Sequence, residues 1–126
     1  MAKAFSQRKL DAVRRKWQKL LRLQDWRITS KFTTQEFLKE LTELDSAVGA
    51  CESFVETKEA KIHILGPEHW SEEYDAREQD VENTVVHELL HCHFAPFEAE
   101  DKATQLQHEQ AIEAITEVIM QLDRGE

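Results

Sequence analysis

The segment that most constrains the fold runs from Val81 to Phe94 and carries the pattern His-Glu-x-x-His at positions 87–91. It contains neither glycine nor proline, and the first such residue after it is Pro96, so the segment is expected to form one uninterrupted helix. Its apolar residues occupy most of the helix circumference, which predicts burial on nearly all sides. Polar groups on so deeply buried a helix need partners, because an unpaired buried charge is costly.

A metal ion is the partner that this spacing favours. His87 and His91 are four residues apart, so their imidazoles project from one helical face and can bind one ion. Glu88 lies about 100° further round the helix, near the ion but not bound to it, where it can take a proton from a water molecule. The alternative is a helix with two satisfied histidines and an exposed glutamate, and the buried context argues against it.

The pattern His-Glu-x-x-His is the one that zinc-dependent peptidases place on a helix. It predicts an enzyme, a zinc hydrolase that cleaves peptide bonds with Glu88 as the general base. A catalytic zinc takes three protein ligands and keeps a fourth position for water, so one more donor is needed. His93 is a poor candidate, because it projects about 200° from His91. The C-terminal segment offers four further candidates, which are His108, Glu109, Glu113 and Glu117.

A motif helix followed by a glutamate on a second helix resembles the gluzincin class of metallopeptidases. The segment Glu113-Ala114-Ile115-Thr116-Glu117 is similar to the Glu-Ala-Ile-Ser-Asp of thermolysin-like enzymes. This resemblance implies that Glu113 is the third ligand and that Glu117 orients a ligating histidine from outside the ligand set.

The same interval between two acids occurs one turn earlier, so Glu109 as the ligand with Glu113 as its support stays open, as does His108. We prefer Glu113, because Ile115, Val118 and Ile119 then occupy the face of the helix opposite the metal.

The chain also resembles small zincin-like metallopeptidases of phages and prophages. The similar features are the motif helix, an Ala-x-Ile-x-Ile strand at 60–64, and the residues Leu21, Leu23, Asp25 and Trp26. The resemblance implies one zincin-like domain over residues 1–126, zinc as the cofactor, a peptide or protein substrate, and the host cytoplasm as the location. The alternative function is that of a non-catalytic zinc-binding protein with a regulatory or interaction role.

The remaining sequence predicts an α+β domain with a small antiparallel or mixed sheet of three strands. Hydrophobic periodicity predicts helices at 5–23 and 103–122, strands at 26–32, 50–56 and 60–65, a helical or irregular segment at 34–45, and a polar loop or short helix at 68–80. We expect the strand at 60–65 to be an edge that pairs with an extended substrate. Tyr74, His63 and His69 are possible donors to an oxyanion, although each is more ordinarily a strand or loop residue.

Composition fits a single intracellular domain. The 126 residues match one domain, and no apolar run approaches the ~20 residues of a membrane span. The N-terminus lacks the apolar core of a signal peptide, so we predict a cytoplasmic protein without membrane partners. Cys51 and Cys92 do not suggest a disulfide scaffold, and Cys92 is expected to be a small core residue rather than a ligand.

Charge is unevenly distributed along the chain. Residues 1–31 contain ten Lys and Arg against Asp11 and Asp25, which is +8, so the net charge of -9 leaves -17 for the rest. Such a basic helix could contact nucleic acid or an acidic partner. The interpretation we favour from sequence is that the helix packs on its own domain with its charges facing water, which leaves nucleic acid as the less expected partner. The oligomeric state does not follow from the sequence.

Overall fold

The structure is a computed structural model that describes residues 6–69, 80–97 and 99–125. These ranges hold four α-helices and three strands, which confirms the α+β class. In chain order the elements are α1 (Gln7–Leu20), β1 (Arg27–Thr33), α2 (Gln35–Thr42), β2 (Gly49–Phe54), β3 (Glu59–Leu65), a short 3-10 turn (Pro67–His69), α3 (Val81–Phe94) and α4 (Lys102–Arg124).

The three strands form a mixed sheet in the order β1-β3-β2. β3 pairs in parallel with β1, from Arg27 opposite Glu59 to Thr33 opposite Leu65, and antiparallel with β2. β3 can run parallel to β1 because α2 and β2 lie between them in the chain and return it to the end of the sheet at which β1 begins. The expectation that the strand at 60–65 is an edge is therefore wrong. β3 is central, and the two edges are β1 and β2.

Alternation along the strands separates two cores. Ile28, Ala60, Ile62 and Ile64 face the main core together with residues of α1, α3 and α4. Residues of opposite parity, Ala50 and Leu65, pack with Leu38 of α2 in a smaller cluster. Most of the helical mass therefore covers one face of the sheet, and α2 covers part of the other.

The motif helix α3 is the centre of the main core. Asp80 caps its start by accepting a hydrogen bond from the Asn83 N–H, and eight of its 14 residues are buried, so it is enclosed on most sides as the sequence predicts. One side contacts α1, where His93 Nε2 donates to the Leu21 carbonyl at 2.6 Å. Cys92 is 1% exposed, which confirms it as a core residue.

Helix α4 packs on α3 through one narrow line of side chains. Ile112, Thr116 and Met120 are its buried residues, and they recur every four positions. Ile115 and Val118, expected on the face opposite the metal, are 39% and 55% exposed. The orientation of α4 about its own axis, set by these buried residues, determines which of its acids reaches the histidines.

No helix in the described ranges is both long enough and apolar enough to cross a membrane.

Candidate metal centre

The two motif histidines and one glutamate of α4 form a compact group of donors. His87 Nε2 lies 3.2 Å from Glu109 Oε1, and His91 Nε2 lies 2.8 Å from Glu109 Oε2. One atom from each residue can be chosen so that all three lie within 4.8 Å of one another, and within the described part of the chain this is the group suited to a metal. The structure thus brings His87 and His91 together as predicted.

Glu113 contacts the same site from the other side of His87. Its Oε1 lies 3.1 Å from His87 Nδ1, the ring nitrogen that does not face Glu109. A carboxylate at this position fixes the imidazole tautomer so that Nε2 keeps a free lone pair. This is the orienting role that the resemblance implies for Glu117. Glu117 makes no contact with either histidine and lines an open groove of about 460 Å³ beside Glu109 and Glu113.

The rotation of α4 explains why the geometry favours Glu109 over Glu113 as a ligand. Ile112, Thr116 and Met120 face the core and lie at about 0°, 40° and 80° round the helix, and Glu109 lies at about 60°, within that arc. Glu113 lies about 100° round from Ile112, so its side chain lies at the edge of the contact with α3, beside His87. The preference for Glu113 rested on Ile115, Val118 and Ile119 forming the face opposite the metal. Ile115 and Val118 are partly exposed, and the residues that α4 buries are instead Ile112, Thr116 and Met120, so that face does not determine which glutamate meets the histidines.

Glu88 is a carboxylic acid in the protein interior. Its side chain is 8% exposed, and its Oε1 lies 4.0 Å from His91 Nε2, so it is next to the donor group without belonging to it. Burial raises the pKa of Glu88 from 4.5 to about 7, and nearby His91 and His87 offset only part of that effect. No residue in the described ranges donates a hydrogen bond to its carboxylate. An acid in this state can exchange a proton near neutral pH.

Gly49, at the start of β2, lies directly against Glu88, and sequence analysis did not identify it. A Cβ atom added there would lie 3.0 Å from Glu88 Oε2 and 3.3 Å from Glu88 Cγ. The backbone of β2 therefore approaches the acid as closely as the absence of a side chain allows. A glycine inside a strand is a recognised sign of such an approach, but the predicted strand began at Ala50 and left Gly49 just outside it.

The remaining charges of the site favour a cation. Burial lowers the pKa of His87, but its hydrogen bond to Glu109 and the nearby carboxylates outweigh burial, so the net shift is upward. The hydrogen bonds from His87 and His91 hold the pKa of Glu109 far below its usual range. Without a metal, the carboxylate thus favours the protonated form of the His87 imidazole. A divalent cation at the same position would satisfy all three groups at once.

The donor set fits zinc. Two imidazole nitrogens and one carboxylate oxygen are a known ligand set of catalytic zinc sites, and ligands about 2 Å from the ion stand about 3.3 Å apart in a tetrahedral arrangement. The two nitrogen-to-oxygen distances of 3.2 and 2.8 Å are close to that separation. The Glu109 side chain is 50% exposed, which leaves the solvent side open for a fourth position.

Other predicted candidates lie elsewhere. The ring of His108 packs against Phe94, with 5.4 Å between the ring centroids, and is not part of the donor group. His93 donates to the Leu21 carbonyl after the end of α1 and is not part of the donor group, which agrees with the prediction that it faces away from His91. His63 contacts Glu52 and the ring of Phe37 in α2, on the sheet face away from the motif helix.

The two other possible oxyanion donors gain no support. His69 lies 3.4 Å from Glu68 on the surface. Tyr74 is outside the described residues.

Comparison with known proteins gives no independent assignment. No protein-family model, curated protein or solved structure matches this chain. A function for the site must therefore be argued from its own residues.

Proposed function

We propose that this chain is a zinc-dependent metallopeptidase with a zincin-like domain, in which His87, His91 and Glu109 bind zinc and Glu88 is the general base. The observation that carries the proposal is the buried Glu88 carboxyl, with a pKa of about 7, beside a group of three donors. A purely structural zinc site takes four protein ligands and has no use for a buried acid outside the ligand set.

The residues of the chain divide the chemistry between them. Zinc, when bound, lowers the pKa of a coordinated water towards about 7 and polarises a substrate carbonyl. Glu88 accepts the proton of the attacking water on a carboxylate oxygen and then gives it to the nitrogen of the leaving amine. Burial raises the pKa of Glu88 to about 7 in the metal-free protein, and a bound cation would lower it towards the ionised form that a general base requires. Glu113 holds the His87 ring in place.

The sheet supplies a surface for an extended peptide. β2 is an edge strand that is paired with β3 on one side, and it begins at Gly49 beside Glu88. A peptide that adds to the outer edge of β2 by backbone hydrogen bonds runs past the general base. This assigns to β2 the role that sequence analysis gave to the strand at 60–65.

Hydrolysis with zinc is favoured over oxidation with iron. Two histidines and one carboxylate also form the triad of non-haem iron enzymes, so the ligands alone do not distinguish the metals. Glu88 makes the distinction, because an acid that exchanges protons near neutral pH serves the activation of water. The phage origin and the host cytoplasm remain predictions from the resemblance.

The test combines metal analysis with a cleavage assay. Protein purified without chelators is expected to contain one equivalent of zinc and to cleave members of a peptide library. Glu88→Gln should keep the zinc and lose at least 100-fold in turnover, since a positioned general base contributes about 10²–10⁴-fold. Glu117→Gln is a matched control that should retain both. Zinc binding without cleavage in every variant would support the non-catalytic alternative, and absence of zinc would refute the proposal.

A further inference from the structure

Helix α1 carries a row of cations that have no acidic partner among the described residues. Arg8, Arg15, Lys19 and Arg22 are exposed, and none of them forms an ion pair within the described ranges; we call these four residues the basic stripe. Lys16, by contrast, contacts Glu82 at 3.1 Å and Asp123 at 3.4 Å. The chain contains 25 acids and has a net charge of -9, so a cluster of unpaired cations in it calls for a reason.

The stripe follows from the pattern of the helix. Arg15 is seven residues after Arg8 and Lys19 is four residues after Arg15, so the three lie within about 40° of one another around the axis and span about 17 Å along it. Arg22 is the second residue after the helix ends at Leu20. Leu10 and Trp17 face the core and are 0% and 3% exposed, so packing fixes the direction of the stripe towards solvent.

The acid of α1 does not neutralise the stripe. Asp11 lies four residues before Arg15, a spacing that allows an ion pair, yet its Oδ1 accepts hydrogen bonds from Gln7 at 2.8 Å and Ser30 at 3.1 Å. The carboxylate is thus directed towards β1, and the neighbouring cations keep their full charge for a partner.

The chemistry of the stripe points to phosphates. Protein interfaces gather around buried aromatic and apolar anchors, and single-stranded nucleic acid stacks on aromatic rings. In the described part of α1 the stripe has neither, because Ala12 is the side chain that lies beside Arg8 and Arg15 on the same face and Trp17 is buried. Leu20 is 56% exposed but lies about 100° from Lys19 around the helix. Regularly spaced cations without a stacking surface suit the backbone of a duplex.

The position of α1 keeps this surface apart from the donor group. His93 contacts Leu21 at the end of α1, and it projects about 200° round α3 from His91. Helix α1 and the group of His87, His91 and Glu109 therefore lie on opposite sides of α3. A duplex on the stripe leaves the candidate metal centre open.

We propose that the basic stripe binds the phosphate backbone of double-stranded nucleic acid without reading its sequence. The inference does not depend on the proposed peptidase activity. It reverses the preference drawn from sequence, where the charges were attributed to solvation alone. The deciding observation is that, among the described residues, no acid pairs with these cations, whereas the neighbouring Lys16 is paired with Glu82 and Asp123.

The test is a titration of a labelled random 20-base-pair DNA duplex, followed by fluorescence anisotropy at several NaCl concentrations. About four phosphate contacts predict a slope of log K against log [NaCl] of about -3 to -4. The variant Arg8→Gln/Arg15→Gln/Lys19→Gln should reduce the slope to about -1 and weaken binding at least tenfold at low salt. These side chains are exposed, so circular dichroism should show an unchanged fold.

The matched control removes three exposed cations elsewhere, as Lys39→Gln/Lys61→Gln/Lys102→Gln, and should bind as the parent does. An equal loss in the two triple variants would show a net-charge effect and overturn the proposal. Tighter binding of single-stranded DNA or of poly-glutamate than of the duplex would also overturn it, as would no binding at 50 mM NaCl. Equal binding of an RNA duplex would support recognition of the backbone.

Discussion

Gly49 lies so close to Glu88 that a methyl side chain at position 49 would not fit between them. A Cβ atom at position 49 would lie 3.0 Å from Glu88 Oε2 and 2.7 Å from Thr84 Cγ2. The edge strand β2 and the motif helix α3 are therefore fitted to each other at the acid that we propose as the general base. This contact makes the position of that acid testable from a residue outside the motif.

Gly49→Ala should move Glu88 while leaving the metal ligands in place. We expect a loss of about 1–3 kcal/mol in the free energy of unfolding, typical of an added methyl in a packed interior. Turnover of a peptide substrate should fall more than tenfold at unchanged zinc content. Chemical denaturation, metal analysis and kinetics measure the three quantities.

Two further variants distinguish a general loss of stability caused by the added methyl group from a displacement of Glu88. Gly66→Ala is the matched control, because the three atoms nearest to its Cβ would all belong to the flexible, 71% exposed side chain of Glu68, and it should cost little. Adding Thr84→Ser to Gly49→Ala removes the closer clash and should restore stability, whereas turnover should stay low. Full recovery of turnover in that double variant would contradict the role assigned to the Gly49–Glu88 contact.

The choice of third ligand is tested by removing three acids of α4 one at a time. Glu109→Ala should abolish stoichiometric zinc binding, because Glu109 faces both Nε2 atoms. Glu113→Ala should retain zinc with an affinity 10- to 100-fold weaker, the usual effect of losing a group that orients a ligand. Glu117→Ala should bind zinc as the parent does. Competition with a chromophoric chelator gives the affinities, and loss of zinc in Glu113→Ala alone would restore the ligand implied by the resemblance.

The buried acid also predicts a pH dependence for the metal-free protein. The pKa of Glu88 is raised from 4.5 to about 7 in the folded state, so the fold loses stability as the pH rises from 4.5 to 7. At pH 8, metal-free Glu88→Gln should be more stable than the parent by up to about 3 kcal/mol, which corresponds to the shift in pKa. The difference should vanish below pH 4.5, where the acid is protonated in both states. Urea unfolding of both proteins in EDTA measures it, and a constant difference across this range would contradict the burial argument.

A second pH effect, of opposite sign, comes from the ion pair that joins the two helices of the site. Arg124 donates to both oxygens of Asp80, at 2.7 and 2.9 Å, and so links the end of α4 to the start of α3. Burial raises the pKa of Asp80, but Arg124 and the Asn83 N–H outweigh burial and lower it below 3.8. Because the folded-state pKa is depressed, the stabilisation is present above pH 3.8 and is lost as the pH falls through the lower value.

Asp80→Asn should therefore cost about 1 kcal/mol or less at pH 7, since both side chains are partly exposed to solvent. Asparagine is as good a helix cap as aspartate, so this variant removes the charge alone. Asp80→Ala removes the cap as well and should cost about 1 kcal/mol more. Thermal unfolding between pH 2 and 7 measures both effects. A cost for Asp80→Asn that persists at pH 2 would show that the charge is not its cause.

Local patterns predicted most of the elements. The helix at 5–23 is observed at Gln7–Leu20, the strand at 26–32 at Arg27–Thr33, and the C-terminal helix extends to Lys102–Arg124. These predictions depended on hydrophobic periodicity, which is a property of each segment by itself. The order of the strands could not be predicted in this way, because the pairing of β1 with β3 joins residues about thirty positions apart. Periodicity carries no information on which strand lies in the centre of the sheet.

The sequence by itself determined that His87, Glu88 and His91 share one buried helix, because their spacing and the absence of glycine and proline are properties of the segment alone. Only the tertiary structure decided which acid meets them. The interval between Glu109 and Glu113 equals that between Glu113 and Glu117, so local spacing could not choose a register. Packing chose it, because burying Ile112, Thr116 and Met120 against α3 directs Glu109 to both histidines and leaves Glu113 beside His87.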